Sequence, residues 1–303
     1  MRRCSRFVWG CVALVIVILC LMVHTYLSGK TYVTGTEAVP QSYLSIQTEE
    51  GVREIAFEEY VIGITAKQIS ADANEQARRA QMILARTNLR TQMEKEPETL
   101  PSFAYLTQAE LKREGTAEFF QEDSKATAAQ VLKVNGECTY LPYHRVSAGK
   151  TRVGKEALPG QGYDWLTSKD CSSDQESSDY LGIFLFTPEE LEEKLNAAWP
   201  GELEEGTDIK EQIEVTERDS ADYVLSVQVG TRKVPGEEFC KAMGLYSPCF
   251  YIEEAEDKIR ITTKGMGHGL GLSQFQAELM GEAGAGYADI LAAFFEGGVL
   301  ETL

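Results

Sequence analysis

Residues 265 to 275 read GMGHGLGLSQF, which puts Gly265, Gly267, Gly269 and Gly271 on alternate positions around a single histidine, His268. Glycine gives up more backbone freedom on folding than any other residue, so this spacing argues against an ordinary helix or strand. The stretch has to be a loop whose backbone takes positive φ or lies unusually close to something else. Beyond it, Ser273 and Gln274 open a short run of helix formers, expected to be helical from about residue 273 to 281. A loop that feeds a helix start presents N–H groups with no partner inside the helix. That arrangement suits a grip on small polar groups beside His268, Ser273 and Gln274. In the competing reading the glycines only allow tight packing, and His268 is a packing residue.

The other end of the chain sets the compartment. Phe7–Leu27 is about 21 residues without a charged side chain, preceded by Arg2, Arg3 and Arg6, the length needed to cross a bilayer as a helix. Cleavable signals have a shorter apolar core and a small-residue cleavage site, whereas this core runs into bulky Met22, His24 and Tyr26. An uncleaved anchor is therefore expected, with the N-terminus cytoplasmic and the remainder outside. The organisation that follows is a stub and single transmembrane anchor over 1–28, a turn-rich tether over 29–42 and an extracytoplasmic domain over 43–303, held at the cell membrane. Residues 31–303 carry 25 basic side chains against all 47 acidic ones, a net charge of −22. Such a surface repels nucleic acid at long range, so no nucleic-acid partner is expected.

Within the outer part, YLSIQTEEGVREIAF reads as a hairpin around Glu49-Glu50-Gly51. Asn74 to about Lys95 reads as a helix with one buried stripe of Ala77, Ala80, Ile83, Leu84 and Thr87. Thr107 with Glu110, and Thr187 with Glu190, are capping-box pairs that mark two more helix starts. CTYLPYHRV, IEVTERDSADYVLSVQVG and FYIEEAEDKIRITTKG are strand-like, the last two broken by acidic turns. A final helix is expected from Tyr287 to Phe295. The fold class is α+β, as one domain or as two lobes around a cleft. Cys138, Cys171, Cys240 and Cys249 lack zinc-motif spacing and are read as free or loosely paired thiols.

Four segments then stand in register: EEYVIGITAKQIS, AQMILARTN, YHRVSAGKT, and the opening GMGHGLGLSQFQAELM with YADILAAFFEGG after it. Together they resemble the sporulation stage II protein D and LytB amidase-enhancer family, whose members read approximately EYVVGVVAAEMP, AQAVAARTYA, FHSTSGG, then GWGHGVGMSQYGA followed by YEEILKHYYPG. The resemblance runs from about residue 43 to the end. For the sporulation members it implies lytic transglycosylase activity during engulfment. The peptidoglycan strand is cleaved between N-acetylmuramic acid and N-acetylglucosamine, with one carboxylic acid protonating the leaving oxygen and the sugar's 6-hydroxyl attacking in place of water.

The alignment puts Gln68 where that catalytic glutamate stands, and an amide has the shape of the acid without its proton. A weak or inactive site that still binds glycan strands is therefore expected, unless Glu58, Glu59 or Glu75 takes over the acid's work. A scaffold or enhancer of a separate wall amidase or other hydrolase is the alternative. Gln81, Arg86 and Thr87 match the family helix, and Arg86 is expected either to orient the site and take a muramyl lactyl group or to be structural. His144 stands at the family histidine, although the residues after it have become Arg145-Val146-Ser147-Ala148-Gly149. His144 and Ser147 are assigned to the cleft wall, with a satisfied structural histidine as the other reading of His144. Some family members bind zinc through histidines and cysteines in and just after this loop; KTRVGKEALPG has neither, so no metal and no cofactor is expected. The candidate set is Gln68 at the catalytic position, with Gln81, Arg86, His144, Ser147, His268, Ser273 and Gln274 as substrate contacts.

Overall fold

The hairpin is present in the computed structural model, which describes residues 42–302: β1 (Tyr43–Thr48) pairs antiparallel with β2 (Gly51–Ala56). The expected stub, anchor and nearly all of the tether lie outside the described residues. Among the described residues no helix is long and apolar enough to cross a membrane.

The hairpin runs directly into α1 (Phe57–Gln68). Nothing in its run of Val61, Ile62, Ile64 and Thr65 announces a helix, since β-branched residues favour strands. Packing overrides that preference, because all four are buried, and Glu58 and Glu59 sit in the first turn where the helix dipole favours carboxylates. α2 (Glu75–Lys95) is the expected long helix, capped by the Asn74 side chain, which accepts from Gln76 N at 2.8 Å. Its burial is wider than a single stripe. Arg78, Gln81, Met82, Ala85, Arg86 and Thr91 are buried along with the apolar positions, because other elements of the domain surround the helix.

Those elements follow in order. α3 (Gln108–Glu114) begins with the Thr107–Glu110 capping box, and α4 (Ala117–Ala126) returns against α2. β3 (Gln130–Val134) and β4 (Glu137–Cys138) form a sheet with the last strand of the chain. The run CTYLPYHRV yields only β4 and the two-residue β5 (Tyr143–His144), since Pro142 cannot donate to a ladder. After the single turn α5 (Gly154–Ala157), β6 (Leu181–Phe186) and α6 (Pro188–Ala198) follow, the latter opening with the Thr187–Glu190 capping box. Both acidic-turn hairpins form: β7 (Ile213–Arg218) with β8 (Val224–Val229) and, beyond β9 (Arg232–Pro235) and α7 (Gly236–Met243), β10 (Phe250–Ala255) with β11 (Lys258–Lys264). The chain closes through β12 (Leu272–Ser273), α8 (Gln274–Glu282), α9 (Tyr287–Phe294) and β13 (Gly298–Thr302).

The hydrophobic residues gather in two main cores. Tyr60, Ile83, Leu132, Leu272 and Phe294 belong to one, built around α2. Leu191, Val227, Phe239, Phe250 and Ile261 belong to the other, built on the antiparallel sheets β7-β8-β9 and β10-β11-β6. Residues 181–264 thus form a second lobe within the one compact unit Tyr43–Leu303, and the fold is a mixture of helices and strands. Cys138, Cys171, Cys240 and Cys249 are buried free thiols. Burial pushes Cys171 and Cys240 up to about 12, which makes them poor nucleophiles.

Arg152 joins the lobes. It is 2% exposed, and its guanidinium reaches Asp219 Oδ2 at 2.6 Å, Glu237 Oε1 at 2.5 Å and the His268 carbonyl at 3.1 Å, 4.9 Å above the Tyr223 ring. A hydrogen bond to a charged group is worth about 1.5–3 kcal/mol. Asp219→Asn, which leaves Glu237 on the guanidinium, should therefore lower the unfolding free energy in denaturant titrations by about that amount. Glu217→Gln, in the exposed pair with Lys233, should change it by less than about 1 kcal/mol. Equal effects would mean that Arg152 is not the fastening between the lobes.

Candidate functional site

The four alternating glycines carry φ of 76°, 102°, 77° and 69°, all in the left-handed region. Their neighbours explain the pattern. A Cβ on Gly267 would stand 2.9 Å from His144 Cβ, one on Gly269 would enter the Tyr223 ring, and one on Gly271 would strike the Pro142 carbonyl. The loop lies backbone to backbone on residues 142–148. Met266 N donates to Val146 O at 2.7 Å, Arg145 N and Val146 N donate to Met266 O at 3.1 Å, and Leu272 N donates to Pro142 O at 3.1 Å. β12 then pairs in parallel with β5, setting Ser273 beside His144.

The expected outward row of N–H donors is largely turned inward. Gly265 N donates to Tyr180 O and Gly267 N to Tyr246 O, while at the start of α8 Phe275 N donates to Arg145 O and Gln276 N to Ser273 Oγ. The glycines make a close contact, and its product is a pair of histidines with ring centres 5.9 Å apart.

Leu270 sets the state of both rings. His144, 3% exposed, has Nδ1 3.0 Å from the Leu270 carbonyl, so Nδ1 bears the proton and Nε2 the lone pair. That Nε2 is buried and has no hydrogen-bond partner among the described residues. His268 Nδ1 accepts from Leu270 N at 3.0 Å, which puts its proton on Nε2, toward the Tyr143 backbone. Burial, reinforced by the neighbouring His268, drives His144 down to about 3; burial and then Arg152 drive His268 down to about 4. Both rings are neutral at physiological pH.

Three amides meet at the end of α1. Gln68 ends α1, half-buried, and its Oε1 accepts from Gln81 Nε2 at 2.8 Å. Gln274 Nε2 donates to the Gln68 carbonyl at 2.9 Å and to Gln81 Oε1 at 3.2 Å. The amide set connects to the histidine pair through β12, since Gln274 follows Ser273.

The remaining candidates are internal. Arg86 is fully buried: its Nε and one terminal nitrogen hold Glu58 at 2.8 and 2.9 Å, and the other donates to the Gln130 carbonyl at 3.0 Å. Arg86 therefore takes the structural role of its two readings, and Glu58 is committed to it. Ser147 and Ser273, both fully buried, converge on a residue that sequence reasoning missed. Asp174 Oδ2 accepts from Ser147 N at 2.6 Å and from Ser273 Oγ at 2.8 Å, while its Oδ1 has no partner among the described residues. Burial raises its pKa against those bonds. Nothing in DCSSDQESSDY distinguishes Asp174 from Asp170 or Asp179. Of the other acids near Gln68 in sequence, Glu75 pairs with Arg79 at 3.4 Å, and Glu59 lines a cavity of about 350 Å³ with Arg53, Tyr105 and Thr107. Among the described residues no three His, Cys, Asp or Glu side chains stand together as a metal site.

Comparison with known proteins gives a consistent result. Residues 45–135 match the family model described as SpoIID, Stage II sporulation protein. Stage II sporulation protein D of Bacillus amyloliquefaciens is 27% identical over 267 residues, covering 82% of this chain and 75% of that protein. Its counterpart in Bacillus subtilis strain 168 is 26% identical over 294 residues, covering 90% and 83%.

The histidine pair makes stability depend on pH. Unfolded histidines take up a proton as pH falls through about 6.5, while in the folded protein His144 and His268 do so only near 3 and 4. Across that window protonation favours the unfolded chain by up to about 1.4 kcal/mol per pH unit for each ring. Asp174 works in the opposite sense just above the ordinary aspartate range, where its folded carboxyl keeps the proton longer. Thermal melts should show Tm falling between pH 6.5 and 4.5, and falling less steeply in His144→Gln. The same slope in that variant would place the titrating group elsewhere.

Proposed function

We propose that this chain, which carries the SpoIID domain and is related to stage II sporulation protein D over most of its length, serves sporulation as a membrane-anchored protein. It binds the glycan strands of peptidoglycan and cleaves them weakly or not at all. The anchor in this reading is the uncharged run Phe7–Leu27. The sporulation role comes from the names of its relatives, and the glycan substrate from the resemblance of its four motifs.

One observation carries the judgement on activity. The position where the resemblance calls for the proton-donating glutamate holds Gln68, whose oxygen is engaged by Gln81 and whose backbone is held by Gln274. An amide N–H donates a hydrogen bond to a glycosidic oxygen but transfers no proton to it, and general acid assistance is worth roughly 10²–10⁴ in rate. Glu58 and Glu75 are each engaged by an arginine, and Glu59 lines a cavity whose walls do not include Gln68.

The test compares the protein with Gln68→Glu, a substitution the site accommodates because Gln81 Nε2 remains a donor to the new carboxylate. Both forms should sediment with purified glycan strands. The unmodified protein should release almost no anhydro-muramyl product, and Gln68→Glu should raise release by about tenfold or more, within the range of acid assistance. Abundant anhydro product from the unmodified protein would overturn the inactive-site reading. Absence of glycan binding would favour a scaffold for a separate wall hydrolase.

A further inference from the structure

β6, residues LGIFLF, is the outer strand of the sheet ordered β10-β11-β6. Leu181, Ile183 and Leu185 are 58%, 66% and 53% exposed, and as alternate residues they share one face of the strand. Water therefore meets a row of large aliphatic side chains on a strand whose backbone, among the described residues, has a partner on one side only.

The register shows which backbone groups are left over. β6 and β11 pair with Leu181 opposite Lys264, and Gly265 N donates to Tyr180 O at 2.6 Å one step beyond. In an antiparallel ladder the hydrogen-bonding residues alternate. Tyr180, Gly182 and Phe184 thus direct their N–H and C=O toward β11, and those of Leu181, Ile183 and Leu185 point to the open edge.

Other outer strands of this lobe carry the devices that discourage edge pairing. β7 has Glu214, Glu217 and register irregularities; β9 has Arg232, Lys233 and Pro235; β10 has Glu253 and Glu254. β6 has no charge, no proline and no bulge. A cavity of about 450 Å³ lined by Leu185, Phe186, Glu190 and Lys194 also leaves open space beside its far end.

We propose that the open edge of β6 is a self-association surface, on which a second copy of this chain adds its own β6 antiparallel about a two-fold axis at Ile183. The strand is its own complement, because Leu-x-Ile-x-Leu reads the same in both directions. Ile183 then faces Ile183 of the second copy, and Leu181 faces Leu185 of the second copy. These are the residues with unpaired backbone groups, so each opposed pair exchanges two hydrogen bonds. The result is an isologous contact that merges two three-stranded sheets into one. A charged partner strand would find no matching charge on β6. Two copies of this chain, each with net charge −18, meet here where Arg260 and Lys264 stand opposite Leu185 and Leu181 on β11 and reduce the local repulsion.

The test is disulfide trapping in membranes from cells making the full chain, with Cys4, Cys11 and Cys20 changed to Ser, since the other four cysteines are buried. Across the axis, Ile183→Cys places two Cα atoms about 5.5 Å apart, inside the roughly 4.4–6.8 Å range a disulfide spans. Copper-phenanthroline oxidation should convert most of that variant to a covalent dimer. Thr262→Cys, one strand further in, should give almost none. Adding Leu181→Lys and Leu185→Lys to Ile183→Cys sets like charges opposite each other and should cut the dimer at least tenfold. Equal trapping at positions 183 and 262, or trapping unaffected by the lysines, would overturn the proposal. So would the Ile183→Cys variant remaining monomeric while lipid vesicles shield it from a maleimide, which would mark the row as a lipid contact.

Discussion

The contact between residues 265–271 and residues 142–148 is the interaction on which the rest of this structure depends. Two stretches more than a hundred positions apart are held at backbone distance by reciprocal bonds between Val146 and Met266 and by the Leu272–Pro142 bond. Such proximity leaves no room for side chains at Gly265, Gly267 and Gly271. The same contact closes the first core after the chain returns from the second lobe, sets the two histidines together and aligns β12 with β5. Four glycines carry an entropic cost of order 1 kcal/mol each relative to alanine in regular structure. Here alanine is excluded by both φ and space, so the cost cannot be lowered by substitution.

What the sequence disclosed follows from the range of the interactions involved. The hairpin at Glu49–Gly51, α2 and both capping boxes are specified within a few residues of chain, and they stand where the residues put them. α1 is hidden because Val61, Ile62 and Ile64 are chosen for the core they enter, and a β-branched run of that length carries no helical period of its own. β12 is hidden, and β5 is only two residues of the longer strand-like run CTYLPYHRV, because each exists only through the other. In the site, the glycine loop was legible as a place of close approach, yet the object approached was not. A glycine pattern reports missing space without naming what fills it. Asp174 and Arg152 were invisible for a related reason: a buried acid or base in an acidic, lysine- and arginine-bearing stretch looks like its solvated neighbours until its partners from elsewhere in the chain are known.

The family likeness is carried unevenly by surface and interior. Gln81, Arg86 and Thr87 match the family helix because they are interior: Gln81 bridges Gln68 and Gln274, Arg86 saturates Glu58, and Thr87 Oγ1 accepts from Leu132 N at 3.0 Å. A matched motif residue is therefore a poor guide to ligand contact here. The departures are mixed: Gln68, Arg145, Ala148 and Gly149 are half-buried, Val146 and Ser147 are fully buried, and Arg145 is drawn to Glu278 at 2.8 Å.

Protonation states extend that argument past position 68. A general acid must hold a proton near neutral pH and reach the leaving oxygen. His144 and His268, with pKa near 3 and 4, are neutral bases under those conditions, and Leu270 fixes which nitrogen of each is protonated. Asp174 holds its proton more tightly than an ordinary aspartate but is sealed behind Ser147 and Ser273. Glu58 is reachable, but both of its carboxyl oxygens already accept from the Arg86 guanidinium. Each group thus meets one requirement of proton donation at most, and the polar chemistry left to the site is hydrogen bonding by amides and neutral imidazoles.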